Sequence, residues 1–355
     1  MNNNRKSSLK VIVLATSRQT RGGITSVVQA HSSCDFWKDY HVKWIETHID
    51  KGFLFKLGYA IKSMCQFICF LPCYDLIHIH LSEAPSLCRK LPFFLLAKLF
   101  GKKIIIHFHS FSPETTISGK FGKIYRHVFA HADKVIVLSG LWKNWIREYL
   151  HLQKNIEIVY NPCMPVAPAV YSHPKNKDIL YAGSLCQRKG YADLIKAFAL
   201  IAHKHPGWRV IFAGNGEIKK GEELAAALHI SSQVKFAGWV SGKEKEDLFS
   251  SASLFCLPSY AEGFPVAILD ACSYHLPFIT TPVGGIPDII TNGKNGLLFT
   301  PGNIEELSAQ LDKLISDTSL RATLSAASRY LAENTFHLKT IDTQIRNLYQ
   351  SVFRP

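Results

Sequence analysis

The stretch Glu262-Gly263-Phe264-Pro265-Val266-Ala267-Ile268-Leu269-Asp270 places two carboxylates eight residues apart around a loop-to-helix junction. Eight helical residues make about two turns, so the spacing predicts both carboxylates on one face. Gly263 and Phe264 offer backbone N–H groups at the helix start, where anions and hydroxyls are well bound. Such a pair can hold two separate hydroxyl clusters of one extended ligand. Helix capping is the alternative role for Glu262, and a surface charge the alternative for Asp270. Asp270 sits between Leu269 and Ala271-Cys272, in a mostly apolar helix, which argues against a solvated face.

Three other stretches carry chemistry. Gly183-Ser184-Leu185-Cys186-Gln187-Arg188-Lys189-Gly190 follows an apolar run and sets two cations before a helix. Lysine supplies a point charge and arginine a fork, a combination suited to a diphosphate; a solvated basic turn is the alternative. Gly22-Gly23 also marks a turn from strand to helix, where backbone can approach a ligand closely. The dinucleotide spacing Gly-x-Gly-x-x-Gly is absent there, which removes the main support for a nicotinamide dehydrogenase. The pairs His78-Ile79-His80 and His107-Phe108-His109 lie near strand ends. Alternate strand residues share a face, so each pair aims two imidazoles the same way. The readings open for them are structural histidines, a hydrogen-bonding group for a ligand, or a zinc site, the last without a carboxylate at ligand spacing. No Asp-x-Asp occurs, so the sequence lacks that motif for a metal on a nucleotide diphosphate.

These residues need a scaffold, and the apolar runs provide it. Leu9–Ala15, His41–Thr47, Asp75–His80, Lys103–His109, Lys134–Ser139 and Ile156–Tyr160 read as buried strands, being short, β-branched and nearly continuous in apolar character. Helical stretches fall between them, among them Ile24–Ser32, Phe53–Phe70, Ser86–Phe100 and Leu141–Tyr149. A proline-rich linker follows, from Asn161 to Pro168 and on to Pro174. The alternation restarts at Ile179–Gly183 and continues through Arg209–Ala213, Val234–Phe236, Leu254–Leu257, Phe278–Thr281 and Leu297–Phe299. This predicts an α/β protein with two parallel-sheet domains, residues 1–163 and 164–336. Residues 337–355 form a final helix packing back on the first domain.

At 355 residues the chain is long enough for two cores. Residues 1–163 hold 22 Lys and Arg against 10 Asp and Glu; residues 164–355 hold 19 against 17. A basic first half calls for a polyanionic partner. No nucleic-acid-binding motif is present, so an anionic membrane surface is expected and nucleic acid is not. Phe53–Cys73 and Pro92–Phe100 are apolar with embedded lysines, which predicts helices lying on a bilayer rather than crossing it; ordinary core helices are the alternative. Met1 to Lys10 is polar, and Val11–Ala15 is too short for a signal peptide's apolar segment. The nine cysteines are scattered, which predicts buried thiols in a reducing compartment, with Cys65, Cys69 and Cys73 as helix packing.

Taken in order, these pieces resemble the retaining glycosyltransferases of family four, with the fold called GT-B. The stretches that carry the resemblance include Gly22-Gly23, His109-Ser110, Asn161-Pro162, Gly183 with Lys189-Gly190, Gly214-Asn215-Gly216 and Gly238-Trp239-Val240. Glu262 to Asp270, Gly284-Gly285-Ile286-Pro287-Asp288, and Asn292-Gly293 with Asn295-Gly296-Leu297 complete them. The resemblance implies two facing Rossmann-like domains with a cleft between them. It implies a nucleotide-diphosphate sugar as donor, a saccharide or lipid-linked saccharide as acceptor, retention at the anomeric carbon, and neither cofactor nor metal. Lys189, helped by Arg188, would neutralise the diphosphate. Glu262 would hold hydroxyls of the donor sugar, and Asp270 those of the ribose. Gly263 and Phe264 would present amides, Trp239 and Val240 would edge the base, and Gly22, Gly23, Gly214 and Pro265 would also touch the donor. His109 would act with Glu262 at the catalytic centre. The implied place is the cytoplasm, peripherally on the inner face of the cytoplasmic membrane, in cell-surface polysaccharide or glycolipid synthesis. A sugar-nucleotide epimerase or a non-catalytic sugar-nucleotide-binding protein are the alternatives. Three departures stand out: Asp270 where the family has a second Glu, Ser184 where an Arg is common, and Pro162 where Gly usually follows Asn161.

Overall fold

The computed structural model describes residues 9–110, 112–167 and 175–354. The chain forms two compact units. One runs up to Pro162 and takes in the residues from Leu338 onward; the other is Cys163–His337. Pro168 and Pro174 of the expected linker lie outside the described residues. Its first residues, Asn161 and Cys163, are buried rather than solvated.

The first unit is built on β1 (Val11–Ala15), β2 (Lys43–Glu46), β3 (Leu76–Leu81), β4 (Lys103–Phe108), β5 (Lys134–Val137) and β6 (Ile156–Ile158). They form one parallel sheet in the order β2-β1-β3-β4-β5-β6. Both faces are covered, which is why the strands read as unbroken apolar runs. Alternation assigns the faces: Ile12 and Leu14 of β1 belong to one core, Val11, Val13 and Ala15 to the other. The helices Phe53–Phe70, Ala84–Leu99, Gly122–His131 and Gly140–Tyr149 cover the first face. The helices Gly23–Ser32, Asp35–Asp39 and Leu338–Ser351 cover the second. The last docks through Ile341, Ile345, Leu348 and Tyr349, and Asp342 Oδ1 accepts from Phe36 N at 2.9 Å.

The Phe53–Phe70 helix departs from an ordinary core helix. Among its residues only Ser63 and Phe67 are buried, Phe67 packing edge-on against Phe93 at 5.2 Å. Phe53, Leu54, Phe55, Leu57, Ile61 and Ile68 are exposed, as are Leu99 and Phe100 at the end of the Ala84–Leu99 helix. By length and composition alone Phe53–Cys73 could cross a membrane, and 17% of it is buried. The expectation of buried thiols fails here. Cys65, Cys69, Cys73 and Cys88 are exposed, because the faces they occupy point away from the sheet, whereas Cys34, Cys163, Cys256 and Cys272 are buried.

The second unit holds β7 (Asp178–Ala182), β8 (Arg209–Ala213), β9 (Val234–Gly238), β10 (Leu254–Leu257), β11 (Phe278–Thr280) and β12 (Leu297–Leu298). They too form one parallel sheet, in the order β12-β11-β10-β7-β8-β9. Since β7 is flanked by β8 and β10, the loops after these three strands converge at the carboxyl end of the sheet, where ligands bind in open α/β folds. Counted over the sequence of each unit, the first holds 25 Lys and Arg against 11 Asp and Glu, and the second 16 against 16. The whole excess positive charge therefore belongs to the first unit.

Candidate functional site

In the second unit, five loops meet at the carboxyl ends of β7 to β11, and glycines let them touch backbone to backbone. A Cβ on Gly214 after β8 would lie 1.8 Å from Gly183 O after β7. One on Gly190 would lie 2.0 Å from Pro258 O, and one on Gly284 2.0 Å from Glu262 O. Gly190 and Gly284 also have φ of +67° and +60°, a region that disfavours side chains. The loop between β10 and the Val266–Ser273 helix is thus held by its neighbours on both sides. Gly214→Ala should strain this junction by about 1–3 kcal/mol, because the obstacle is a carbonyl that cannot rotate away. A urea melt would show the lowered midpoint; an unchanged midpoint with unchanged donor affinity would show that the loops move freely.

Within this frame Lys189 Nζ stands 2.5 Å from Glu262 Oε1. Arg188 Nη1 donates to Ala261 O at 2.7 Å and lies 3.8 Å from Glu262 Oε2. Tyr260 N donates to Arg188 O at 2.8 Å, locking the cationic turn to the carboxylate loop. Glu262 is buried and Lys189 largely so, making this a charged pair at low dielectric rather than a solvated turn.

Asp270 is placed differently from the expectation. The helix begins at Val266, with Pro265 in extended conformation as its cap residue, so Glu262 belongs to the preceding loop. Glu262 and Asp270 therefore do not share a helix face. Asp270 instead makes an ion pair with Lys245 at 2.7 Å, from the Gly242–Ser251 helix. Burial pushes the Asp270 carboxyl above its usual range, and Lys245 opposes that. Lys245 is a site residue the sequence did not announce, for it comes from a polar helix with no motif of its own.

Phe264 is buried, its ring 5.3 Å from that of Phe336, which fixes the loop around Gly263. No side chain caps the helix that follows Pro265. Trp239 is exposed, its backbone N–H donating to Asn215 Oδ1 at 3.0 Å, and Val240 beside it is buried. Ser184 is exposed, and its carbonyl accepts from Tyr181 Oη at 2.8 Å. A separate cavity of about 550 Å³, lined by Lys175, Lys177 and Arg321 among others, opens at the amino ends of the strands, away from these loops.

Two family models match this chain. Glycosyl transferases group 1 covers residues 168–331, and glycosyltransferase family 4 covers residues 50–163. The chain belongs to the family 4 glycosyltransferases. A glycosyltransferase of Haemophilus influenzae is 30% identical over 204 residues, 57% of each chain. The N-acetyl-alpha-D-glucosaminyl L-malate synthase of Bacillus anthracis is 25% identical over 294 residues, 79% of this chain and 75% of that one. The match thus spans little more than half the length of the first relative and three quarters of the second. In fold, the chain is similar to Anabaena HepE in complex with UDP-glucose, with a TM-score of 0.78 and 21% identity over 97% of this chain and 100% of that one. It is equally similar to the sucrose-phosphate synthase of Thermosynechococcus elongatus, with a TM-score of 0.78 and 18% identity over 97% and 99%. The architecture is GT-B, two α/β domains each on a parallel six-stranded sheet.

The first unit of this family 4 chain carries the remaining expected residues at the carboxyl ends of its own strands. Gly22 caps the Gly23–Ser32 helix after β1 with φ +147°, and no side chain occupies the cap. His109 follows β4, its N–H donating to Leu81 O at 2.7 Å and its Nε2 lying 2.9 Å from His80 Nδ1. Burial, then His31 and Lys90, lower its pKa to about 3, so the ring is neutral. Next to it Glu83, at the start of the Ala84–Leu99 helix, accepts from the hydroxyls of Ser110 and Thr115. Glu83 belongs to no motif that would have marked it in the sequence.

Proposed function

We propose that this protein transfers a hexosyl group from UDP-sugar to a saccharide or lipid-linked saccharide. The observation that carries the reading is the Lys189–Glu262 pair with Arg188 beside it, held on glycine-locked loops at the carboxyl ends of β7 and β10. A carboxylate between two cations is suited to a ligand that has hydroxyls next to a diphosphate. Glu262 accepts from the sugar hydroxyls, while Lys189 and Arg188 meet the charge that develops on the leaving diphosphate. Asp270, poised by Lys245, takes the ribose hydroxyls. Gly263, Phe264 and Pro265 line the approach to the uncapped helix, and Trp239 and Val240 border the base. UDP is favoured because the HepE complexes contain UDP or UDP-glucose. A Staphylococcus aureus relative named for capsular polysaccharide biosynthesis favours a cell-surface glycan as product.

The transfer proceeds with retention, by attack of the acceptor on the face the diphosphate leaves, with no protein nucleophile. It needs no metal on the diphosphate, since Lys189 and Arg188 supply the positive charge. Turnover should therefore be the same with and without added magnesium or manganese, measured as UDP release; a strict requirement for either would refute that mechanism. A thermal-shift screen over UDP, GDP, ADP and their sugars tests the donor. A true donor at 100 times its dissociation constant stabilises by about 2.7 kcal/mol. No shift with any of them would remove the reading. Sugar released or transferred, as against epimerised without acceptor, separates transferase from epimerase.

The acceptor is met at a membrane. The exposed apolar face of Phe53–Phe70 lies among Lys51, Lys56 and Lys62, on the unit that carries all the net charge. Phe67 anchors that helix to the core, which favours lying on a surface over crossing it. Beside it, Lys43 and Lys62 line a cavity of about 310 Å³ with Tyr59, Trp44 and the Arg18–Glu46 ion pair, and the two lysines suit an anionic headgroup. We place the protein in the cytoplasm, on the inner face of the cytoplasmic membrane.

A further inference from the structure

Five imidazoles stack along the β3–β4 edge of the second core. His78 and His80 of β3 lie 4.7 Å apart between ring centroids, His80 and His107 4.7 Å, and His107 and His109 4.2 Å. The register sets His80 beside His107, and alternation aims all four to one side of the sheet. His31 of the Gly23–Ser32 helix closes over them, 5.9 Å from His107 and 6.1 Å from His80. His31, His78, His80 and His107 are fully buried.

Half of the ring nitrogens in this column are unpartnered among the described residues. Among the described residues, His31 Nε2, His78 Nε2, His80 Nε2 and both nitrogens of His107 have no partner. Buried polar atoms are rarely left so, and a cluster of them calls for an ion or another unseen partner. His31, His80 and His107 each offer a ring nitrogen, and these nitrogens lie within 4.8 Å of one another.

We propose that the first unit binds one divalent transition ion, zinc foremost, through His31, His80 and His107. Imidazole nitrogen suits zinc, and three such ligands with one position left for water or an anion is an established coordination set. Nitrogens on a tetrahedral zinc stand about 3.4 Å apart for bonds near 2.05 Å, so loading draws the rings together by rotation of their side chains. The surroundings fit a second shell. His80 Nδ1 is bonded to His109 Nε2, His78 Nδ1 to Tyr349 Oη at 2.7 Å, and Lys90 Nζ donates to His80 O and to Ser86 Oγ, the latter at 3.1 Å. With His80 ligating through Nε2, its Nδ1 carries the proton and donates to His109. The neutral His109 ring then keeps its own proton on Nδ1. The ion would thereby fix the tautomer of His109. This site stands apart from the donor-site reading and is tested without turnover.

The test uses the full chain with His127→Ala and His131→Ala, because that exposed pair, 4.2 Å apart on one helix, could chelate on its own. The protein is stripped with EDTA, given zinc chloride, desalted and analysed by elemental mass spectrometry. About one zinc per chain is expected, and cobalt in its place should give visible ligand-field absorption. His31→Gln, checked for folding by circular dichroism, should retain under about a tenth of that zinc. Zinc below that level in the parent, or full retention in folded His31→Gln, overturns the proposal. Should the variant not fold, anomalous scattering at the zinc edge from crystals of the loaded parent decides: a peak among the three imidazoles supports the site, and its absence there refutes it.

Discussion

Lys189→Ala should weaken UDP binding by about 10- to 100-fold, the loss expected for one charge-assisted contact in a partly desolvated site. Lys189 is largely buried, and its charge is opposed by Glu262 at 2.5 Å. Removing it takes away the cation meant for the diphosphate and leaves a buried carboxylate facing an anionic ligand. The two effects act in the same direction. Arg188→Ala should cost less, because Arg188 is more exposed and its nearest fixed contact is a backbone carbonyl, Ala261 O. Glu262→Gln separates the roles: UDP should bind at least as well as to the parent, while the extra affinity conferred by the sugar should fall. Titration calorimetry with UDP and UDP-glucose checks all three. Unchanged UDP affinity in a folded Lys189→Ala chain would remove Lys189 from the donor site.

Changing Lys51, Lys56 and Lys62 together to Gln should lower partitioning onto phosphatidylglycerol-containing vesicles by about 100-fold. Each lysine near an anionic leaflet contributes on the order of 1 kcal/mol, and three together about 3 kcal/mol. The parent's binding should also weaken as salt rises, since screening shortens the reach of each charge. A salt-resistant remainder should persist through Phe53, Leu54 and Phe55, which are exposed at the start of the same helix. Replacing those three with Ser should abolish the remainder while leaving the low-salt attraction largely in place. Vesicle sedimentation at low and high salt reads both components. A parent that ignores anionic vesicles at low salt would defeat the membrane reading and make a soluble acidic glycan the leading acceptor.

The sheets were legible in the sequence for a simple reason. A parallel strand covered on both faces must be apolar almost throughout, so runs such as Lys103–Phe108 and Leu254–Leu257 announce themselves. The cationic turn was legible because Arg188 and Lys189 are adjacent in the chain. What could not be read were relations across the fold. The start of the Val266–Ser273 helix places Glu262 in the loop, which spacing alone did not reveal. Lys245 reaches Asp270 from a helix 25 positions earlier in the chain. His31 joins the strand histidines only because its helix packs over β3 and β4, and Glu83 meets Ser110 only because β3 and β4 are neighbours. The exposure of Cys65, Cys69 and Cys73 was equally hidden, since an apolar helix reads the same whether it faces a core or a bilayer.

The Leu338–Ser351 helix gives the order of synthesis a structural meaning. Everything else in the first unit has been translated before the second unit begins, yet the face formed by Val11, Val13 and Ile105 is only partly covered, by Val28 and Phe36 of the early helices, until Ile341, Ile345 and Tyr349 emerge. Domains tend to fold from the N-terminus as the chain appears. Here the first to be made is the last to be finished. While the second unit is being made, the growing chain presents an incompletely covered apolar face as well as the exposed Phe53–Phe70 helix. A chain interrupted anywhere before Leu338 would leave that face incompletely covered permanently, and His78 would lack its Tyr349 hydroxyl. The Leu338–Ser351 helix thus completes the first unit only after the second has been made, and products truncated before it should be the ones that chaperones retain and proteases remove.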